Sequence, residues 1–343
     1  MTLFTRLGRW GSREGRFGPS RSSRETSRRR RTAAVAFVVA ATGLALLVQA
    51  FARSEQAAPT SEATNGRIAF SAVDGTTWQI YSVELDGSGL TQLTHVPDTE
   101  VAEDPVWSPD GARIAYVVDE NGGNGPTKIW VMNADGSDPR LLIEGAGSFW
   151  SPAWSPDGNR IAFAHGDPSN LYVVNSDGTD LTQVTQTQGN PPVGSPSWSP
   201  DGSRIVVGGE GEVQHLYVMN ADGTGLTPLL DQPGFRANEA GFEGFPAWSP
   251  DGSTIAITTA SGIYAVNPDG TGLREVTSAG QSPAWSPDGS RIVFMAPRPG
   301  TTEDTTLFVM NANGGDVGEL SGLPEGASFP SWQPVPAEPG HTS

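Results

Sequence analysis

Three histidines, His95, His165 and His215, are spread through a 343-residue chain. Imidazole is the side chain best suited to hold a catalytic metal or to move a proton near neutral pH. Three of them on one metal would suit a lyase or lactonase acting on sugars. They fall at non-equivalent points of the repeat described below, and no pairing motif links them, so they read as unrelated surface histidines. Five aspartates, Asp110, Asp157, Asp201, Asp251 and Asp288, would supply acid–base chemistry if they converged. Each stands at the same place in a recurring turn of a separate unit, and turn geometry accounts for it. The segment Asn220-Ala221-Asp222-Gly223-Thr224 has the flavour of a calcium loop but lacks the alternating third ligand and the distal glutamate that such a loop needs. The chain has no cysteine, which excludes disulfides, thiolate zinc sites, iron–sulfur clusters, cysteine nucleophiles and a lipidated cysteine. No Gly-x-Ser-x-Gly elbow occurs. No catalytic constellation emerges, and no metal or cofactor is expected.

What positions these residues is a motif written six times. Trp-Ser-Pro-Asp-Gly occurs at Trp107, Trp154, Trp198, Trp248 and Trp285, with a decayed copy at Trp332; the spacings are 47, 44, 50, 37 and 47 residues. In Pro-Asp-Gly the proline presets φ, aspartate suits the next turn position, and glycine takes a positive φ. An apolar strand follows each turn, as in Ile114-Ala115-Tyr116-Val117 or Ile161-Ala162-Phe163, and an earlier copy, Ile68-Ala69-Phe70, has no tryptophan motif before it. A third strand then ends in an Asn/Asp-Gly turn, and a short Leu-Thr-rich strand closes the unit. A period near 45 residues made of four strand-sized pieces is the signature of a propeller blade. Gly 43 and Pro 28, about a fifth of the chain, also argue against a mainly helical fold.

We label the strands A (ending in the tryptophan), B, C and D. The series starts at a B strand and ends at an A strand. The fold expected is therefore all-β, a six-bladed β-propeller of four-stranded antiparallel blades, closed by Phe329-Pro330-Ser331-Trp332 joining the Ile68 hairpins. The tryptophans would pack between blades.

The run Pro-x-Trp-Ser-Pro-Asp-Gly, then Arg-Ile-Ala-Phe, then Tyr-Val-Met-Asn-Ala-Asp-Gly, resembles the WD-like repeat of the TolB-like β-propeller family across about Arg67 to Pro334. The resemblance implies a protein-binding platform in the bacterial envelope. It does not extend to the small α/β domain that precedes the propeller in TolB itself, since only a tether precedes the first strand here. Similar repeats also accompany prolyl-oligopeptidase-type peptidases, whose nucleophile elbow is missing.

The net charge of −17 is split: residues 1–53 carry +9 and the remainder −26. So acidic a body repels phosphate backbones, which disfavours nucleic acid as a partner. Arg28 to Arg31 precede an uncharged apolar run, and residues 33–52 match the thickness of a bilayer. The expected organisation is a cytoplasmic tail over 1–31, a transmembrane anchor or signal segment over 32–52, a flexible tether over 53–66, the propeller over 67–334 and a tail over 335–343. The upstream arginines place the propeller outside the cytoplasmic membrane. The alternative is cleavage after Ala50-Phe51-Ala52, giving a secreted or periplasmic protein.

Antiparallel order puts the short, uniform A–B and C–D turns on one face and the B–C and D–A connections, of unequal length, on the other. Such connections on a rigid scaffold are where binding concentrates. That face is expected to carry Phe149, Trp150, Phe235, Phe242, Phe245 and Phe329 with Glu103 and Asp104, a mix of aromatic anchors and acidic groups suited to an envelope or extracellular protein with a basic surface. The same aromatics would otherwise fold down and plug the channel. The expected function is a monomeric, non-catalytic interaction platform; the alternatives are an exported carbohydrate lyase or lactonase and an extracytoplasmic small-ligand sensor.

Overall fold

The computed structural model describes residues 65–122, 125–186, 193–209, 216–230, 245–259, 261–301 and 304–335. The expected cytoplasmic tail, the anchor or signal segment and all but the last two residues of the tether lie outside them, as do Phe235, Phe242 and His215. Among the described residues no helix is long and apolar enough to cross a membrane.

Six four-stranded antiparallel sheets form, each in the order A–B–C–D. In blade 1 the strand Ser328–Pro334 pairs with Asn65–Val73, bringing Trp332 opposite Ile68 and Ser331 opposite Ala69. The last strand of the described residues thus completes the first blade, as the repeat arithmetic requires. Successive A strands touch one another right round the ring, so they line its axis. They are Glu100–Trp107, Phe149–Trp154, Val193–Trp198, Ala247–Trp248, Gln281–Trp285 and Ser328–Pro334, in blades 2, 3, 4, 5, 6 and 1.

The B strands are apolar at their centres because each blade is covered on both faces by its neighbours. Ile68, Ala69 and Phe70 are all fully buried, as are Ile161, Ala162, Phe163 and Ala164. The core is a set of wedges between blades. Trp154 of blade 3 packs with Ile129 and Val131 of blade 2 and with Ile161 of its own blade. Its ring Nε1 donates to the Val106 carbonyl at 3.2 Å, and Trp198 and Trp285 repeat that bond to Ala153 and Ala247. The arginine that opens the B strand of blades 2, 3 and 4 also reaches across: Arg113 lies over Trp154, Arg160 over Trp198 and Arg204 over Trp248, at 4.7, 4.9 and 5.1 Å from the ring centroids. A cation held over an indole face is worth about 0.5–1 kcal/mol at a partly exposed site.

The turns hold their shape with their own side chains. Asp110 accepts the Ala112 N–H at 3.1 Å, and the Ser108 hydroxyl accepts the Arg113 N–H at 2.9 Å. In the equivalent turn of blade 4, the hydroxyl of Ser199, then the N–H and hydroxyl of Ser203, pull Asp201 down to about 2. These carboxylates belong to separate blades and carry turn bonds. They do not form a common site.

Candidate binding site at the channel mouth

Each of the six tryptophans that end inner strands is preceded, two positions earlier, by proline. Proline cannot donate to a sheet ladder, so it forces an irregularity into the strand. The residue before that proline takes a left-handed backbone in every blade: Asp104 (φ 55°), Ser151 (51°), Ser195 (47°), Phe245 (30°), Ser282 (49°) and Phe329 (50°). Non-glycine residues rarely adopt this conformation. On the inner strands of blades 2, 3, 4, 6 and 1 the pairing register slips across this point, which makes it a β-bulge. Because the left-handed pre-proline residue recurs in all six blades it is a property of the fold, and what differs is the side chain it carries.

The bulge residues meet one another around the axis. The Asp104 carboxylate accepts the Ser151 N–H at 3.3 Å, and the hydroxyls of Ser151 and Ser195 lie 3.5 Å apart. Phe245 of blade 5 and Phe329 of blade 1 approach to 5.8 Å between ring centroids, on either side of Ser282 of blade 6. Neighbouring B strands support the ring from behind: the Ser71 hydroxyl accepts the Asp104 N–H at 3.2 Å, and the Thr258 hydroxyl accepts the Ser282 N–H at 3.0 Å.

The ring is acidic. The inner strand of blade 2 carries Glu100, Glu103 and Asp104, and no inner strand carries lysine, arginine or histidine. Asp104 is half-buried as a residue, with protein packed closely round its carboxyl. That burial first, and the Glu103 charge second, push its carboxyl up to about 7 against the opposing Ser151 hydrogen bond. In blade 6, Gln281 and Ser282 are each 7% exposed. Neither the Gln281 Oε1 nor the Ser282 Oγ has a hydrogen-bond partner among the described residues.

The structure places the expected site residues differently from a set of loop residues. Glu103, Asp104, Phe149, Trp150 and Phe329 lie within inner strands, and Phe245 stands two residues before one. Phe149 is 3% exposed and belongs to the core between blades 2 and 3, so it is no surface anchor. Its ring stacks on His165 at 4.2 Å, and His165 Nδ1 donates to the Ser148 carbonyl at 3.0 Å. His95, in blade 1, contacts Gln92 instead. These two histidines have separate partners, and no group of three candidate metal ligands comes together among the described residues. Trp150 is half-buried. Reading the sequence missed Ser151, Ser195, Gln281 and Ser282; the signal available was the invariant x-Pro-x-Trp, in which x before proline holds one place in every blade.

Residues 112–240 match the family model of the TolB beta propeller domain. No curated protein matches the sequence. Among solved structures the fold is similar to TolB from Acinetobacter baumannii, at 18% identity and a TM-score of 0.65, over 78% of this chain and 67% of that one. It is similar to a putative TolB from Agrobacterium tumefaciens at 22% identity and a TM-score of 0.58, over 80% of this chain and 100% of that one. A chain in a nidogen/laminin complex aligns at 13% identity with a TM-score of 0.61, over 78% of this chain and 98% of that one. At these identities the structural likeness establishes the six-bladed propeller fold.

Proposed function

We propose that this TolB-like propeller is a non-catalytic protein-binding platform of the cell envelope, held outside the cytoplasmic membrane by residues 33–52 as a single-pass anchor. The observation that carries the reading is the channel mouth, where Phe245 and Phe329 pack together and the inner strand of blade 2, next to the blade of Phe329, carries Asp104 and Glu103, at the end of the ring that bears the unequal connections. Aromatic anchors on an inner ring that also carries carboxylates suit a basic partner surface. The platform reading agrees with the resemblance to TolB, and one of the similar structures was solved as a nidogen/laminin complex.

The test is capture from an envelope extract with the full chain in detergent, beside a Trp150→Ala/Phe245→Ala version shown to be folded. A partner held by the first and lost by the second supports the platform. Its association rate should fall with added salt. Capture of the same proteins by both versions would remove the channel mouth from the function. Recovery of the chain in the soluble fraction after alkaline washing, with a new amino terminus near Ala52, would replace the anchor with a cleaved signal.

A further inference from the structure

Two residues beyond the isoleucine that leads each B strand, five blades carry Phe70, Phe163, Val207, Ile257 and Phe294, each at most 1% exposed. In blade 2 the place belongs to Tyr116, which is 3% exposed. Packing does not call for its oxygen, since phenylalanine fills the same place in three blades. The hydroxyls of Tyr81 and Tyr172 donate to Gln92 and Gln183 on their own outer strands, at 3.3 and 3.1 Å. Among the described residues the Tyr116 hydroxyl makes no hydrogen bond, and burial alone pushes it up to about 12, so it stays neutral. A buried hydroxyl costs free energy until something bonds to it.

Tyr116 lines a cleft of about 320 Å³ between blades 1 and 2. Val96, Val118, Met132 and Trp130 contribute apolar surface to the same cleft. Of the other polar residues there, Thr94 spends its hydroxyl on the Ile80 N–H and the Gln79 side chain, both at 2.8 Å, and His95 meets Gln92 at 3.2 Å. Glu100 is the one acidic residue of the lining, and with the −26 charge of the body it disfavours an anion. A cavity of about 150 Å³ accepts benzene, so this one has room for two fused rings.

We propose that the cleft between blades 1 and 2 binds a small uncharged aromatic compound of up to two rings, whose oxygen is held by the Tyr116 hydroxyl. An apolar hollow with one well-placed polar group is the usual form of a small-molecule site. The Met132 thioether and the Trp130 indole are both good partners for an aromatic ring. The site lies between two blades rather than on the axis. It goes beyond the platform reading and needs no protein partner.

The test is equilibrium dialysis of the purified full chain in detergent, against matched protein-free micelles, with 2-naphthol, naphthalene and 2-naphthoate. Saturable one-site binding of 2-naphthol is expected, with 2-naphthoate about tenfold weaker or worse. Tyr116→Phe should weaken 2-naphthol about three- to tenfold, as loss of one neutral hydrogen bond does, and leave naphthalene unchanged. Val96→Trp, which adds bulk to the cleft wall, should weaken both neutral compounds together. Tyr172→Phe, which removes a phenolic oxygen from blade 3, should alter neither. No saturable binding of 2-naphthol, an equal loss of 2-naphthol and naphthalene in Tyr116→Phe, full binding in Val96→Trp, or a preference for 2-naphthoate would overturn the proposal. Because no partner protein is present, this result is independent of the capture experiment above.

Discussion

Phe245 and Phe329 lie 5.8 Å apart between ring centroids, tilted by 54°, although one comes from blade 5 and the other from blade 1. They meet because each occupies the left-handed pre-proline position that recurs in every blade beside the axis. The contact therefore ties two blades that share no hydrogen-bonded strand.

This pair should be energetically coupled. In a double-mutant cycle of Phe245→Ala and Phe329→Ala, urea unfolding should give a coupling of about 0.5–1.5 kcal/mol, the usual worth of an aromatic pair beyond its buried area. Strict additivity would mean that the rings merely lie near each other.

Asp104 should make stability fall as the solution becomes less acidic. Its carboxyl titrates near 7 in the folded chain and near 3.8 when unfolded, so the folded state binds the proton more tightly. Stability from this group is present below about pH 4 and is lost as pH rises through 7. Asp104→Asn should therefore stabilise the protein at pH 8 by about 1–3 kcal/mol, with the gap closing toward pH 4. Melting temperatures at the two pH values test this; an Asn variant that is less stable at pH 8 would contradict it.

At the blade interfaces, the indole matters more than the guanidinium above it. Trp198→Ala should cost about 3–5 kcal/mol, as large-to-small core changes do. Arg160→Ala, which removes only the group 4.9 Å over that ring, should cost about 0.5–1 kcal/mol. Denaturant midpoints of the two variants would rank them.

Two glycines with left-handed backbones should respond differently to alanine. Gly111 has φ 66° and its added Cβ would fall 2.1 Å from the Pro334 carbonyl oxygen; Gly75 has φ 101° with nothing within 4 Å. Gly75→Ala should cost only the backbone strain, about 1–2 kcal/mol. Gly111→Ala should cost at least about 2 kcal/mol more, because backbone must move, and thermal unfolding of both variants would show the difference.

The blade count, the strand order and the closure were legible because Trp-Ser-Pro-Asp-Gly repeats in register with Ile-Ala-Phe and Asn-x-Asp-Gly, so local turn chemistry and long-range topology carry the same message. The site was less so. Asp104 and Phe245 stand out by residue type, but their neighbours Ser151, Ser195 and Ser282 are ordinary serines until the bulge turns all of them to one axis. Phe149 shows the opposite error. Its place near a long connection suggested exposure, yet the inner strand begins earlier than the motif implies and the ring is drawn into the core between blades 2 and 3.

The pairing of Ile68 with Trp332 makes the ring a check on chain length. The hairpins of blade 1 are made first and wait, one edge open, while five other blades are synthesised, and contacts so distant in sequence form late. A product cut short anywhere before Ser328 keeps that edge bare, and an unpaired edge invites aggregation and proteolysis. Only a chain carried through to its final strand can hide its beginning.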